Sequence, residues 1–280
     1  MNKKLLSLYG LKWNPFSPEL PVEALVMTPR IELFAWRIEN MTREGGFALV
    51  TGPSGAGKSV ALRLVAEQLS RNNDLSIAEL SRPQARLSDF YRELGHMFGV
   101  PLTPNNRWGG SSSLRDKWLA HMDTTRLRPV LLIDEAQETH SSVLNELRLL
   151  SSSNFDSRNL LTVVLCGDQR LLTKLQEPEL VPLASRIRPR LLVEPQTPAE
   201  LCEHLTAAIT TAGNAKLMTS ELVSTIAEHA AGNWRSMMTT AHELLAAGLQ
   251  QEAPRLDEKL YLDVFSAPPR QSRRPRKGSR

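Results

Sequence analysis

The sequence predicts an α/β protein, an open sheet of buried parallel strands followed by a unit built of helices alone. Three observations carry this. Residues 47–50 form an apolar run that passes through a glycine-rich loop, Gly52-Pro-Ser-Gly-Ala-Gly-Lys-Ser59, into a helical pattern over residues 60–69. Two further continuous apolar runs, residues 130–133 and 159–166, end in polar residues, as strands buried on both faces do. After Thr197-Pro198 the spacing is helical throughout, with helices expected over residues 198–212, 219–230, 234–250 and 256–264 and no strand among them.

A chain of 280 residues is long enough for one full core and a smaller second unit. With 41% hydrophobic and 23% charged residues the composition is that of an ordinary globular protein. No apolar run approaches the roughly 20 residues that cross a bilayer. The start, Met1-Asn-Lys-Lys-Leu-Leu, meets Tyr9-Gly10 and Pro15 before a signal-peptide core develops, so a cytoplasmic location without membrane contact is expected. Cys166 and Cys202 lack metal-ligand spacing and read as packed thiols. The net charge of +4 is unevenly spread: residues 270–280 hold six positive charges and no acid, which leaves the rest of the chain slightly acidic.

In chain order, residues 1–28 are expected to be irregular. Pro15, Pro18 and Pro21 break helices while Leu8, Tyr9, Trp13 and Phe16 supply apolar surface, so the segment reads as a strap across the core. Thr28-Pro29 is a helix start, and Ile31, Phe34, Ala35, Ile38 and Met41 follow at helical spacing up to Gly45-Gly46. The glycine-rich loop then has the setting a phosphate-binding loop requires. Gly52, Gly55 and Gly57 remove Cβ atoms from a backbone whose N–H groups must converge on one anion, and the following helix aims its dipole there. Lys58 supplies a charge for β- and γ-phosphates, and the Ser59 hydroxyl is placed to ligate Mg²⁺. Pro53, Ser54, Ala56 and Val60 complete the expected nucleotide-binding set.

Residues 75–80 form the next candidate strand and residues 87–98 a helix with Phe90, Leu94 and Phe98 on one side. The loop between them holds Arg82 and Arg86, candidates for DNA contact or simply solvated charges. In the polar loop 103–113, Trp108 reads either as core or, beside Arg107, as an aromatic that stacks on a base. Residues 114–127 are expected to be helical. Pro129-Val-Leu-Leu-Ile-Asp134-Glu135 is the second chemical landmark, because acids at the C-terminal end of a buried strand sit where open α/β sheets bind ligands. Asp134 would hold Mg²⁺ through water or Ser59, and Glu135 would orient and polarise the attacking water. The strands carrying the two motifs are expected to be neighbours.

Leu144, Leu147 and Leu150 mark the next helix, and the strand over residues 159–166 ends at Gly167-Asp168-Gln169. A polar side chain there senses the γ-phosphate or belongs to a plain strand-to-helix turn. Arg186, Arg188 and Arg190 precede and enter the last strand, as a solvated edge or, for an arginine beside the sheet, as a finger reaching a neighbouring subunit's γ-phosphate. The run at residues 270–280, broken by Pro275 and preceded by Pro268 and Pro269, is expected to stay extended, and its Arg273, Arg274, Arg276 and Lys277 are candidate phosphate contacts.

With these motifs assembled, the chain resembles the AAA+ ATPases of the ExeA-like kind over about residues 7–250. The carriers are Tyr9-Gly-Leu11, Asn14-Pro-Phe16, the phosphate loop, Ile133-Asp-Glu-Ala-Gln137, Glu146-Leu-Arg-Leu-Leu-Ser151, Gly167 with Leu171, Ser185-Arg-Ile187 and Gly232-Asn-Trp-Arg235. The resemblance implies a doubly wound sheet, a helical lid, ATP hydrolysis at subunit interfaces and homo-oligomeric rings or filaments. It implies the divisions 1–28 (strap), 29–195 (AAA+ nucleotide-binding core), 196–265 (lid) and 266–280 (disordered basic tail). Arg186 looks like the interface arginine and Arg235 like the lid arginine that senses nucleotide. Trp234 stands where many relatives have proline, and Asp168-Gln169-Arg170 replaces the usual Gln-Pro-Glu run, which leaves the first sensor unassigned. Secretion members carry a transmembrane segment and a wall-binding region after the ATPase, whereas this chain passes from the lid to a basic tail. Short members resemble the ATPase partners of DDE transposases, which bind duplex DNA non-specifically and regulate transposition; that reading is expected here, with ATP-driven assembly of secretion machinery as the alternative.

Overall fold

The structure, a computed structural model, describes residues 2–80, 83–84, 86–99, 127–153 and 158–265, with short helical pieces between residues 112 and 124. Arg82, Arg107, Trp108, Arg273, Arg274, Arg276 and Lys277 lie outside the described residues, as does most of the expected helix 114–127. The chain forms two compact units: residues 21–197 with 231–235, and residues 1–20 with 198–230 and 236–280.

The first unit is a five-stranded sheet. Its strands are β1 (Gly46–Thr51), β2 (Leu75–Glu79), β3 (Arg128–Ile133), β4 (Thr162–Gly167) and β5 (Ile187–Leu192), in the order β2-β3-β4-β1-β5. All its pairings are parallel. Alternation of side chains sorts the strand residues onto two faces. On one face Ala48, Val50, Val130, Leu132, Val164 and Cys166 pack against α2 (Pro29–Thr42) and α3 (Lys58–Ser70). On the other, Phe47, Leu49, Leu131, Ile133, Val163 and Leu165 meet α4 (Leu87–Met97), α5 (Ser141–Ser151), α6 (Gln169–Leu175) and α7 (Val181–Ala184). The sheet is therefore doubly wound, as expected.

The strand order corrects one expectation. The phosphate-loop strand β1 does not neighbour the acidic strand β3, because β4 lies between them. β4 pairs with β1 on one side and β3 on the other, and every residue of its Thr-Val-Val-Leu-Cys-Gly run is buried, as that central place requires. β5 is an edge strand with an irregular register, Ile187 opposing Phe47 and then Arg190 opposing Leu49, so that the Arg188-Pro189 step holds one extra residue. The predicted start of α2 is present: the Thr28 side chain accepts from the Ile31 N–H at 3.4 Å and Pro29 holds the first helical position.

The second unit contains α1 (Asn2–Tyr9), α8 (Pro198–Thr211), α9 (Ser220–His229), α10 (Trp234–Gln250, from Ser236 on) and α11 (Glu258–Phe265). Here α1 replaces the irregular start expected from the prolines. All three prolines come after residue 14, so residues 2–9 are free to coil, and Leu5 and Tyr9 are buried. The Tyr9 carbonyl accepts from Asn214 Nδ2 at 2.8 Å, and Gly248 leaves the space that the Tyr9 ring needs, since a Cβ there would stand 2.7 Å from its hydroxyl oxygen. Among the described residues no helix is long and apolar enough to cross a membrane.

Candidate nucleotide site

The parallel register brings four strand ends to one edge of the sheet. Thr51 lies level with Gly167 on one side and Leu192 on the other, and Ile133 level with Leu165, so Gly52, Asp134, Asp168 and Val193 leave the sheet together. The loop of residues 52–57 rises from this edge. Gly57 caps α3 with φ +106°, a conformation glycine alone adopts freely, and an added Cβ would meet nothing within 4 Å, so its concave side is open. Gly52 is needed for a different reason, since a Cβ there would stand 2.1 Å from the Val193 carbonyl oxygen.

Lys58 is 7% exposed, and its ammonium donates to the Pro53 carbonyl at 2.9 Å, spanning the loop from within. Ser59 follows in the first turn of α3. The Cys166 thiol, fully buried, reports what surrounds this point. It titrates far above the usual thiol range, first because burial disfavours a thiolate, then through the charge of Asp134 and a hydrogen bond to its carboxylate; the Lys58 ammonium pulls the other way, and Glu135 adds to the rise. Lys58, at the start of α3 after β1, and Asp134-Glu135, after β3, thus leave the sheet on either side of β4 and are near enough to act on the charge of Cys166. A cation, a hydroxyl and a carboxylate around an open loop of N–H groups are the donor set that suits a nucleotide's phosphates with Mg²⁺, Lys58 facing the phosphates and Ser59 with Asp134 the metal. When bound, the ion would neutralise charge on the β- and γ-phosphate oxygens.

Glu135 is exposed and has φ +50°, a left-handed residue that turns the chain from β3 into a 3₁₀ turn, Ala136–Glu138. Its N–H donates to Asp134 Oδ1 at 2.9 Å. Its carboxylate accepts a hydrogen bond from Gln137 Nε2, a residue sequence reasoning had quoted only as a letter of the resemblance. Asp168, left open between a sensor and a turn, is engaged in the turn. Its carboxylate caps α6 by accepting from the Arg170 N–H at 2.9 Å and pairs with the Arg170 guanidinium, whose hydrogen bond is the first cause holding the carboxyl below its ordinary range.

A prediction follows from that cap. Asp168→Ala is expected to cost about 1 kcal/mol in a denaturant titration at neutral pH. Because the folded-state value lies below the unfolded one, the Asp168 contribution is present above roughly pH 4 and is lost as pH falls through the folded value, so wild type and variant should converge in acid. A difference that stays constant down to acid pH would show that the carboxylate is not the cap.

The segment Gly232-Asn-Trp-Arg235 docks on the outside of the phosphate loop. The Arg235 N–H donates to the Gly55 carbonyl at 3.1 Å and Asn233 Nδ2 to the Ser54 carbonyl at 3.2 Å. Gly55, at φ +79°, permits this approach, for a Cβ there would lie 2.2 Å from Asn233 Oδ1. Arg235 is thereby brought to the loop, with Asn233 as a contact the sequence reading had missed. Arg186 is not brought to it. It follows α7, donates to the Pro182 carbonyl, and enters β5 at the end where Ile187 opposes Phe47, a strand length of about 16 Å from its own phosphate loop at about 3.3 Å per residue. Arg86 is exposed at the start of α4.

Comparison with known proteins agrees with this fold. Residues 41–175 match the family of the AAA domain. General secretion pathway protein A of Aeromonas hydrophila is 34% identical over 187 residues, 65% of this chain, and the chain spans about a third (33%) of that protein's length. Among solved structures, the Aeropyrum pernix ORC2 protein in ADPNP–ADP complexes superposes with a TM-score of 0.71 at 15% identity, covering 90% of this chain and 71% of its own. Cdc6p from Pyrobaculum aerophilum gives 0.68 at 16%, covering 86% and 67%, and the Aeropyrum pernix ORC1 protein in complex with DNA 0.66 at 18%, covering 88% and 67%. The fold is the P-loop AAA+ fold, residues 41–175 match the AAA domain, and the chain is similar in sequence to general secretion pathway protein A.

Proposed function

We propose that the chain is a Mg²⁺-dependent ATP hydrolase that assembles on ATP binding, holds duplex DNA in its nucleotide-bound state and regulates DNA transposition through a DDE transposase, acting in the cytoplasm. The observation that carries the hydrolase is the glycine-rich loop with the buried Lys58 after β1 and the Asp134-Glu135 pair after β3, on one edge of the same parallel sheet. Lys58 binds the phosphates, Ser59 and Asp134 hold the metal, Glu135 takes the water's proton, Arg235 senses nucleotide from the loop's outer side and Arg186 serves a neighbouring copy. DNA binding rests on the basic run at residues 270–280, with Arg82, Arg86 and Arg107 as further candidates, and is supported by the fold shared with an ORC1 protein solved on DNA.

A second reading stands at least level with it, because the curated relative at 34% identity is a secretion protein. On that reading the same ATPase cycle works on protein in assembling secretion machinery. A gel shift with duplex DNA, with and without a non-hydrolysable ATP analogue, separates them: binding that requires the analogue supports the first, and no binding in either lane supports the second. If the six charges of residues 270–280 meet phosphates, affinity should fall about 10³-fold between 50 and 200 mM salt, at a slope of about −0.9 per contact. Truncation after Pro269 should flatten that slope and leave the ATP requirement intact. An unchanged slope would remove these residues from the DNA surface.

A further inference from the structure

Gln137 is 5% exposed, a polar side chain held inside the protein two residues beyond Glu135. Its amide is used at both ends. Nε2 donates to the Glu135 carboxylate, and Oε1 accepts from the Asp168 N–H at 3.2 Å. These partners fix the amide's orientation, because a carboxylate accepts only and a backbone N–H donates only. The backbone beneath it is clamped as well. Lys174 Nζ, from α6, donates to the carbonyls of Gln137 at 2.6 Å and Thr139 at 2.8 Å. The Arg170 guanidinium pairs with both Glu138 and Asp168, each at 2.9 Å. The turn after β3 and the turn after β4 are thus bolted together, with Gln137 at the centre. Gly167 makes the arrangement possible, since a Cβ at that position would stand 2.5 Å from Gln137 Oε1.

We propose that Gln137 is the positioning residue that aims the Glu135 carboxylate at the attacking water and ties that aim to the backbone of the Gly167-Asp168 turn. The proposal rests on the reading of Glu135 as the group that takes the water's proton. A left-handed, exposed residue at the end of a strand has little else to hold its side chain. One carboxylate oxygen bonded to Gln137 leaves the other to meet the water. Movement of the turn after β4, which lies beside the phosphate loop through the β1 and β4 pairing, shifts Oε1 and with it Nε2 and the carboxylate. Gln137 touches no reacting atom; it acts through Glu135.

The test compares Gln137→Glu, Gln137→Met, Gly167→Ala and Glu135→Gln, reading kcat and KM for ATP, the affinity for a fluorescent ATP analogue and the pH–rate profile. Gln137→Glu keeps the shape and the acceptor for the Asp168 N–H but loses the donor and sets a second carboxylate beside Glu135. It is expected to lower kcat about 10- to 100-fold with KM and nucleotide affinity unchanged, and to move the acid limb of the pH–rate profile upward, since like charges oppose each other's ionisation. Gln137→Met is expected to lower kcat without moving that limb, and Gly167→Ala, which displaces Oε1, to do the same. Wild-type kcat in both Gln137 variants, with Glu135→Gln inactive, would overturn the proposal while leaving the base assignment standing. Parallel loss of kcat, nucleotide affinity and thermal stability would also overturn it, in favour of a purely structural amide. Wild-type hydrolysis by Glu135→Gln would remove the base assignment and this proposal with it.

Discussion

Arg186→Ala is expected to lower ATP hydrolysis per subunit by about 10³- to 10⁵-fold in the assembled protein, the range over which an arginine finger acts, while leaving nucleotide affinity of the single subunit unchanged. The expectation comes from where the residue sits. β1 and β5 run parallel, so the start of β5 is level with the start of β1 and the phosphate loop lies beyond the far end of both. An arginine side chain cannot reach back along the whole strand, so a role at the γ-phosphate has to be played on another copy, after the guanidinium leaves the Pro182 carbonyl. Hydrolysis per subunit should then rise with protein concentration. Mixing Arg186→Ala with Lys58→Ala should restore part of the activity, because each subunit donates what the other lacks. Mixtures that demonstrably co-assemble yet stay inactive would exclude the role.

Glu135→Gln should bind ATP with wild-type affinity and hydrolyse it about 10²- to 10³-fold more slowly, whereas Lys58→Ala should lose affinity itself. The structure separates the two roles by burial. Lys58 lies inside the loop with its ammonium on the Pro53 carbonyl, where phosphates would bind, while Glu135 stands exposed beyond the strand end, held from the side by Gln137. The amide in Glu135→Gln has nearly the shape of the carboxylate but takes no proton. Equal loss of nucleotide affinity in both variants would refute the division of labour.

The parts of this site written in contiguous residues were legible in the sequence. The phosphate loop is one such part, since strand, glycines, lysine and helix start fall within about a dozen residues, and the acid pair at the end of β3 is another. The order of the strands was not legible. β1, β3 and β4 are all apolar runs, and nothing in a run records which neighbour its backbone bonds; only the pairing of β4 with both β1 and β3 gives its central place. Helix α1 was hidden because Pro15, Pro18 and Pro21 argue against helix over residues 1–28 as a whole, and Leu5 and Tyr9 become core only against residues some 200 positions later in the chain. Gln137 and Asn233 were present in recognised motifs, yet their partners lie far off in sequence: Asp168 for one, Ser54 and Gly55 for the other. A side chain whose function is to bridge two turns leaves no local pattern.

The edge of the sheet at β5 bears on how copies of this protein can meet. An open strand edge is a template on which another chain's strand can add, and unchecked addition leads to aggregates rather than to defined assemblies. Here the edge carries Pro189, which has no N–H to offer, at the step where the register slips by one residue, and its exposed positions hold Arg188 and Arg190 before Leu192 at its end. Arg188 is tied down to Glu44 at 3.0 Å and to the Gly45 carbonyl at 2.9 Å, so the irregular stretch is held in place. A foreign strand would find broken spacing, a missing donor and two cations. Growth of one sheet into the next across β5 is therefore opposed, and any assembly of copies at this side would rest on side chains rather than on a continuous backbone ladder.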